Sequence, residues 1–244
     1  MIRKLRWIGI IALMLAAAGC VKVDQTITLD KDGSGTLDMR YGMSEQTIAQ
    51  LEAMQQMSQT MGEDAAMDQD SPFEFDEAKV REEFEATKPE GVELVSLSSE
   101  TVDGWKFIDM KIAFDDLAAL KRTELFEDSD LSLQRDGDGN YVLTQASGPD
   151  DMTDMGGAGG DEGAMEQQMM QQMAAMFAGL RLETRVVVPT RIIDTNGTVV
   201  DEKTASWVFD IDEDPSVLTK LDAMKLRVVF AGNGLSLPEL HGGD

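Results

Sequence analysis

The chain has 244 residues, of which 21 are basic and 46 acidic, giving a net charge of −25 with one cysteine and one histidine. Such a balance repels phosphate backbones and argues against a nucleic-acid partner. A lone cysteine excludes an internal disulfide, and His241, set in the tail LPELHGGD, leaves the body without a Ser-His-Asp triad, a Cys-His pair or an HExxH zinc helix.

Residues 1–19 read as a segment to be removed. Arg3, Lys4 and Arg6 form a basic start, and Trp7 to Ala18 carry no charge. A run of about 12 apolar residues is shorter than the roughly 20 needed to span a bilayer core. Small side chains at Ala17, Ala18 and Gly19 then precede Cys20. This arrangement resembles the lipobox of bacterial lipoproteins, with cleavage between Gly19 and Cys20 and lipid attachment at Cys20. The position three before the cysteine, usually Leu, is Ala17 here, with Leu15 two residues earlier. Val21 follows in place of the Asp associated with inner-membrane retention, so the resemblance implies the outer membrane, facing the periplasm, in a Gram-negative cell. Removing residues 1–19 takes away three bases and no acid, leaving 18 bases against 46 acids and a balance of −28.

Residues 20–244 are expected to form one envelope domain. VKVDQTITLD places Val21, Val23, Ile27 and Leu29 on one face, and TLDMRYGM does the same with Leu37, Met39, Tyr41 and Met43. Period-two runs joined by KDGSG read as a hairpin. Ser44 caps a helix running to about Met61, with Met43 and Ile48 spaced as a hydrophobic staple. An acidic loop, 62–75, follows. Asp76 opens a second helix, stapled by Phe75 and Val80 and stopped at Pro89-Glu90-Gly91. The strands VELVSLSSETV and WKFIDMKIAF come next, the latter with Ile108, Met110, Ile112 and Phe114 on one face and Trp105 and Phe107 on the other.

A short helix near Asp116–Arg122 leads to the hairpin LSLQRDGDGNYVLTQ, which turns at Asp138-Gly139. A Gly-rich flexible loop is expected over 147–163 and a helix over 164–178. The strand LRLETRVVVPTRII, a turn at Asn196-Gly197, the strand ASWVFDI, a helix from Asp214 to Met224 and the strand KLRVVFA close the chain. Hairpins with interspersed helices predict an α+β fold, a largely antiparallel sheet carrying about five helices, two of them Met-rich.

Two features bear on binding. DKDGSGTLD offers Asp30, Asp32, Ser34, Gly35 and Asp38 at positions one, three, five, six and nine of a calcium loop, but Tyr41 stands where the bidentate glutamate belongs. A tight turn accounts for the same residues, and no metal ligand is assigned. The second feature is the cluster of methionines in IAQLEAMQQMSQTM and AMEQQMMQQMAAMF, out of 17 in all. At about 100° per residue, Met165, Met169, Met170, Met173, Met176 and Phe177 share an arc of roughly 140°. Core packing, an adaptable lining for an apolar ligand formed by Met54, Met57, Met61, Met165, Met169, Met173 and Met176, and copper(I) ligation by thioethers all fit this pattern.

The segment VVVPTRIIDTNGTVVDEKTASWVFDI, with its Pro189 strand, Asn196-Gly197 turn and Trp207–Phe209 strand, resembles the soluble domain of LppM-like bacterial lipoproteins and the related DUF3153 family. The opening CVKVDQTITLDKDGSGTLDMRYGM is similar too. The resemblance implies an α+β, sheet-rich envelope domain interacting with lipid or glycolipid, and it supplies no catalytic residue. Many such relatives end in a membrane helix, and the tail LPELHGGD gives no expectation of one. The expected protein is therefore non-enzymatic, without a cofactor, and held to the membrane by its lipid anchor. Its expected partners are a lipid or other apolar ligand, or another envelope protein.

Intact-mass measurement on protein extracted from membranes is expected to give residues 20–244 plus a diacylglyceryl adduct, and Cys20→Ser to move the protein out of the membrane fraction. An unmodified Cys20 would refute the anchor.

Overall fold

The computed structural model describes residues 21–49, 74–127, 129–146, 179–214 and 225–242. The elements in chain order are β1 (Val21–Leu29), β2 (Gly35–Ser44), α1 (Glu77–Thr87), β3 (Val92–Val102), β4 (Trp105–Phe114), α2 (Leu117–Lys121), β5 (Ser132–Arg135), β6 (Tyr141–Ala146), β7 (Arg181–Val187), β8 (Ile192–Thr195), β9 (Thr198–Val199), β10 (Thr204–Asp210) and β11 (Lys225–Phe230). They form a seven-stranded sheet in the order β3-β4-β2-β1-β7-β10-β9 and a four-stranded sheet in the order β5-β6-β11-β8.

The first hairpin follows from alternation and from its turn. Val21 lies opposite Met43, Val23 opposite Tyr41 and Ile27 opposite Leu37, so the apolar set of both strands points to one side. In the turn, the Asp30 amide donates to the Ser34 carbonyl at 2.8 Å, and the Ser34 amide and hydroxyl donate to Asp32 Oδ1 at 3.1 and 2.6 Å. Ser44 then caps a helical turn over 45–49, its hydroxyl accepting the Thr47 amide at 3.1 Å. Farther along, Asp76 caps α1 by accepting the Ala78 and Lys79 amides, and Asp116 caps α2 by accepting the Ala119 amide.

All pairings within the larger sheet are antiparallel except one. β1 runs parallel to β7, with Lys22 beside Arg181 and Thr28 beside Val187. Such a pair needs a long crossover, and here more than 150 residues separate the partners. One hydrophobic cluster joins the inner face of this sheet (Ile27, Leu37, Ile108, Ile112, Phe114) to the smaller sheet (Leu133, Tyr141, Val228, Phe230) and to the tail residues Leu235 and Leu237. The Tyr141 and Phe230 rings stack at 5.7 Å.

The expectation of an α+β fold with about five helices on one sheet is overturned: the chain is mostly β, arranged in two sheets. Two physical causes stand out. The run LRLETRVVVPTRII is not one strand, because Pro189 has no amide to offer a ladder. The chain leaves β7 there and crosses into the smaller sheet as β8, returning through Asn196-Gly197 to β9. The capping signals also mark real helix starts without guaranteeing large helices: α2 has five residues, and α1 buries none of its side chains fully. The helix expected over 164–178, all but Asp214 of the one over 214–224, most of the one over 44–61, and the Gly-rich loop 147–163 lie outside the described residues. Of the loop 62–75, Glu74 and Phe75 are described, and Phe75 is buried.

Ile112 is fully buried, with the Leu37 and Leu94 backbones as its neighbours across β2 and β3. Truncation there leaves an apolar void, so urea denaturation of Ile112→Ala is expected to show a loss of about 3 kcal/mol. Ile193→Ala, at a side chain 45% exposed, is expected to stay within about 0.5 kcal/mol of the parent.

Candidate functional site

The inner face of the larger sheet is not closed along its whole length. Near the end of β1 that follows residue 20, α1 packs against the core cluster through Val80 and Phe84, at i and i+4, and a groove of about 280 Å³, which Thr87 also lines, runs between helix and sheet. Its floor is Val23, Met39, Tyr41 and Met110; one wall is Val80, Phe84 and Thr87; Thr123, Glu124 and Leu125 close the far end. Met39 and Met110 are register partners, as are Val23 and Tyr41, so the floor consists of adjacent cross-strand pairs. Glu74, Glu83 and Lys88 stand on the rim.

The polar groups here are mostly committed to the fold. The Tyr41 hydroxyl donates to the Glu74 carbonyl oxygen at 2.6 Å, and its ring packs on Phe75 with centroids 5.6 Å apart. Burial, then the negative fields of Glu74 and Glu83, push the phenol up to about 12. Tyr41 therefore stays protonated and is no base at neutral pH. Glu74 Oε1 accepts the Phe75 and Asp76 amides, each at 2.8 Å, and its Oε2 accepts from Lys79 at 3.1 Å. Burial raises the Glu74 carboxyl, but the Asp76 amide, the Lys79 ammonium and the Phe75 amide outweigh it and leave the net value lowered. The groove is thus an apolar trough with the Glu74 carboxylate at its lip committed to backbone amides and Lys79, suited to hold a hydrocarbon segment.

The outer face of the same sheet carries a lattice of ion pairs. Arg40 donates to both oxygens of Asp109 at 2.7 Å and also pairs with Glu100, and Lys111 reaches Asp38 at 3.0 Å. Glu183, 6% exposed, is held by Arg181 at 2.6 Å, by Arg185 and by the Ser206 hydroxyl at 3.2 Å, while Arg181 also pairs with Asp24 at 2.9 Å. Burial opposes the Glu183 charge, yet the Arg181 hydrogen bond and the fields of Arg185 and Arg181 bring its carboxyl below the ordinary value. Among the described residues, no group of three or more His, Cys, Asp or Glu side chains could hold a metal ion.

The residues singled out in the sequence for function, Gly19, Cys20, Met54, Met57, Met61, Met165, Met169, Met173 and Met176, lie outside the described residues. The groove was missed in the sequence because its floor has the same alternation as sealed core. The one local signal was the narrow apolar stripe of α1, too thin to cover the sheet beneath it.

A mostly β domain of two sheets, with an apolar trough under a half-seated helix, is the class of protein defined so far. The chain belongs to the LppM domain family, whose model matches residues 22–222. That family comprises envelope lipoproteins, so the chain is a membrane-associated lipoprotein of the cell envelope; the family is not known for enzymatic activity. The solved NMR structure of the folded domain of Mycobacterium tuberculosis LppM is 13% identical, covering 90% of this chain and 95% of that one at a TM-score of 0.43. No curated protein matches the chain.

Because Glu183 binds its proton more weakly in the folded state than its unfolded value of 4.5, its contribution to stability is complete above that value and is lost as pH falls through the lower folded one. Glu183→Gln is expected to cost about 2 kcal/mol at pH 7. The gap from the parent should shrink steadily below pH ~4.5 in urea titrations; a gap that stays constant to pH ~2 would show that the charge is not what matters.

Proposed function

We propose that this lipoprotein, anchored through Cys20 to the outer membrane of a Gram-negative envelope and facing the periplasm, binds the acyl chain of a lipid in the groove between α1 and the sheet. The observation that carries the reading is the trough itself: apolar along its floor, lined by two methionines that can repack around different chains, and rimmed by charges that a headgroup can meet. Its volume of about 280 Å³ is at the low end for ligand sites, which fits a segment of one chain rather than a whole lipid. Each methylene taken from water contributes about 0.8 kcal/mol, so a modest length suffices for micromolar affinity.

The groove also starts close to the bilayer. Val23 is three residues from Cys20, and at about 3.3 Å per strand residue the floor begins roughly 10 Å from the anchor. A chain leaving the membrane therefore has a short path to it. The methionines of the two expected helices, 54, 57, 61, 165, 169, 173 and 176, extend this lining in the proposal, supplying further thioether surface for a greasy ligand.

The Cys20→Ser form of residues 20–244, titrated with the polyene fatty acid cis-parinaric acid, is expected to enhance the probe's fluorescence saturably. Phe84→Asp, which places a carboxylate in the wall of a helix with no fully buried side chain, should weaken binding about tenfold, while Val200→Ser at a distant exposed site leaves it unchanged. A folded protein that never enhances the probe would refute lipid binding and favour an adaptor that contacts another envelope protein.

A further inference from the structure

We propose that the end of the larger sheet where β1 begins is a membrane-docking edge, set into the headgroup layer of the bilayer through a corner formed by Lys22, Val102, Trp105 and Lys106. This rests on Cys20 being the anchor and goes beyond it by fixing which surface of the domain meets the lipid. Cys20 is bonded directly to Val21, so its Cα lies about 3.8 Å from that of a residue already paired in the sheet. No linker separates anchor from domain, and the start of β1 is held at the bilayer.

Register tells what accompanies it. Val21 lies opposite Met43, and one step farther toward the same end Ser44 lies opposite Trp105, which lies opposite Val102. The outermost row thus carries an indole and a valine that is 44% exposed. Two residues farther in, on the same face, Lys22, Gly42, Phe107 and Glu100 are neighbours. The Phe107 ring lies over Gly42, where a Cβ would come within 2.2 Å of Cδ1, and it stacks on Trp105 at 6.0 Å. Lys22 Nζ sits 4.2 Å from the Trp105 ring, and Lys106 Nζ 5.9 Å from the Phe75 ring. Among the described residues neither lysine forms an ion pair, in a chain with 46 acids; the charges farther up the face, Arg40, Asp109, Lys111 and Asp38, are mutually paired.

An indole outermost, the Lys22 ammonium against it, Lys106 on the opposite face of the same strand end and neutralised charge behind is the order found at a bilayer interface, where Trp sits among headgroups and Lys reaches phosphate. Glu45, Glu100 and Asp103 are the acids of this corner, Glu100 being paired with Arg40, against Lys22 and Lys106; Asp210, Asp212 and Glu213 stand at the same end of the sheet where β10 finishes beside Arg181. Six acids, Asp30, Asp32, Asp115, Asp116, Asp201 and Glu202, gather at the opposite end of the sheet. That end is about 30 Å away along the strand, several screening lengths at physiological salt, so their repulsion from an anionic surface is not felt at the edge.

The test uses the acylated full chain, whose only native thiol is consumed by the lipid. Val102→Cys and Val200→Cys, at side chains 44% and 59% exposed, each receive an environment-sensitive bimane label and are reconstituted into phosphatidylcholine–phosphatidylglycerol vesicles. The label at 102 is expected to shift to shorter wavelength and to lose emission when headgroup-spin-labelled lipid is included; the label at 200 should do neither. Labels that respond alike, or a stronger response at 200, would overturn the docking edge while leaving the anchor and the groove intact. Protein that carries no acyl mass or fails to float with the vesicles would overturn the anchor and the edge together, and parinaric acid binding by the Cys20→Ser form is independent of either result.

Discussion

The two halves of the larger sheet are joined through β1, whose backbone is hydrogen-bonded to β2 on one side and to β7 on the other. The first of these pairings is local, closed by a five-residue turn, and the second joins residues more than 150 positions apart. β1 is the middle strand of seven, so the first element of the described residues is also the one that joins the two halves of the sheet. Gln25 reinforces the distant pairing by donating to the Thr184 hydroxyl at 2.9 Å, and Arg181 does so by bridging Asp24 and Glu183. A sheet built this way puts both of its faces in a fixed relation to Val21.

The two faces then divide the chemistry. Inward, alternation delivers Ile27, Leu37, Ile108 and Ile112 to a sealed core, and only the half-seated α1 leaves part of that surface open as a groove. Outward, the same alternation delivers Asp24, Asp38, Arg40, Asp109 and Lys111 to a paired lattice. Exposed pairs of this kind contribute about 0–1 kcal/mol each, so they register the strands and hold charge in balance rather than carry the stability. Glu183 is the exception, buried between two arginines and a serine.

Much of the local structure was legible in the residues. The hairpin from Val21 to Ser44, the helix starts at Ser44 and Asp76, the short helix near Asp116, the turns at Asp138-Gly139 and Asn196-Gly197, and the burial of Ile108, Met110, Ile112 and Phe114 opposite Trp105 and Phe107 all follow from local periodicity and turn chemistry. What was not legible depends on distance. No local pattern says that β1 will choose β7 as its parallel neighbour, or that the chain will change sheets at Pro189, although the missing amide marks the place where it can. The fold class went wrong for the same reason: capping motifs count helix starts, whereas the balance of helix and sheet is set by how many strands find partners. The groove escaped notice because an open floor and a closed core share one alternation, and only the width of the covering stripe on α1 separates them.

Among the described residues the larger sheet ends at β3, an eleven-residue strand with one side unpaired. An extra residue, Val95, interrupts its pairing with β4 between Leu94 and Ser96, and Glu93 and Glu100 flank that kink. A protein confined to a membrane surface diffuses in two dimensions, where neighbours collide far more often than they do in free solution. A flat, uncharged border strand would there zip onto its counterpart in the next molecule. The irregular backbone and acidic side chains of β3 spoil that match, so copies can crowd the surface without seeding a continuous intermolecular sheet.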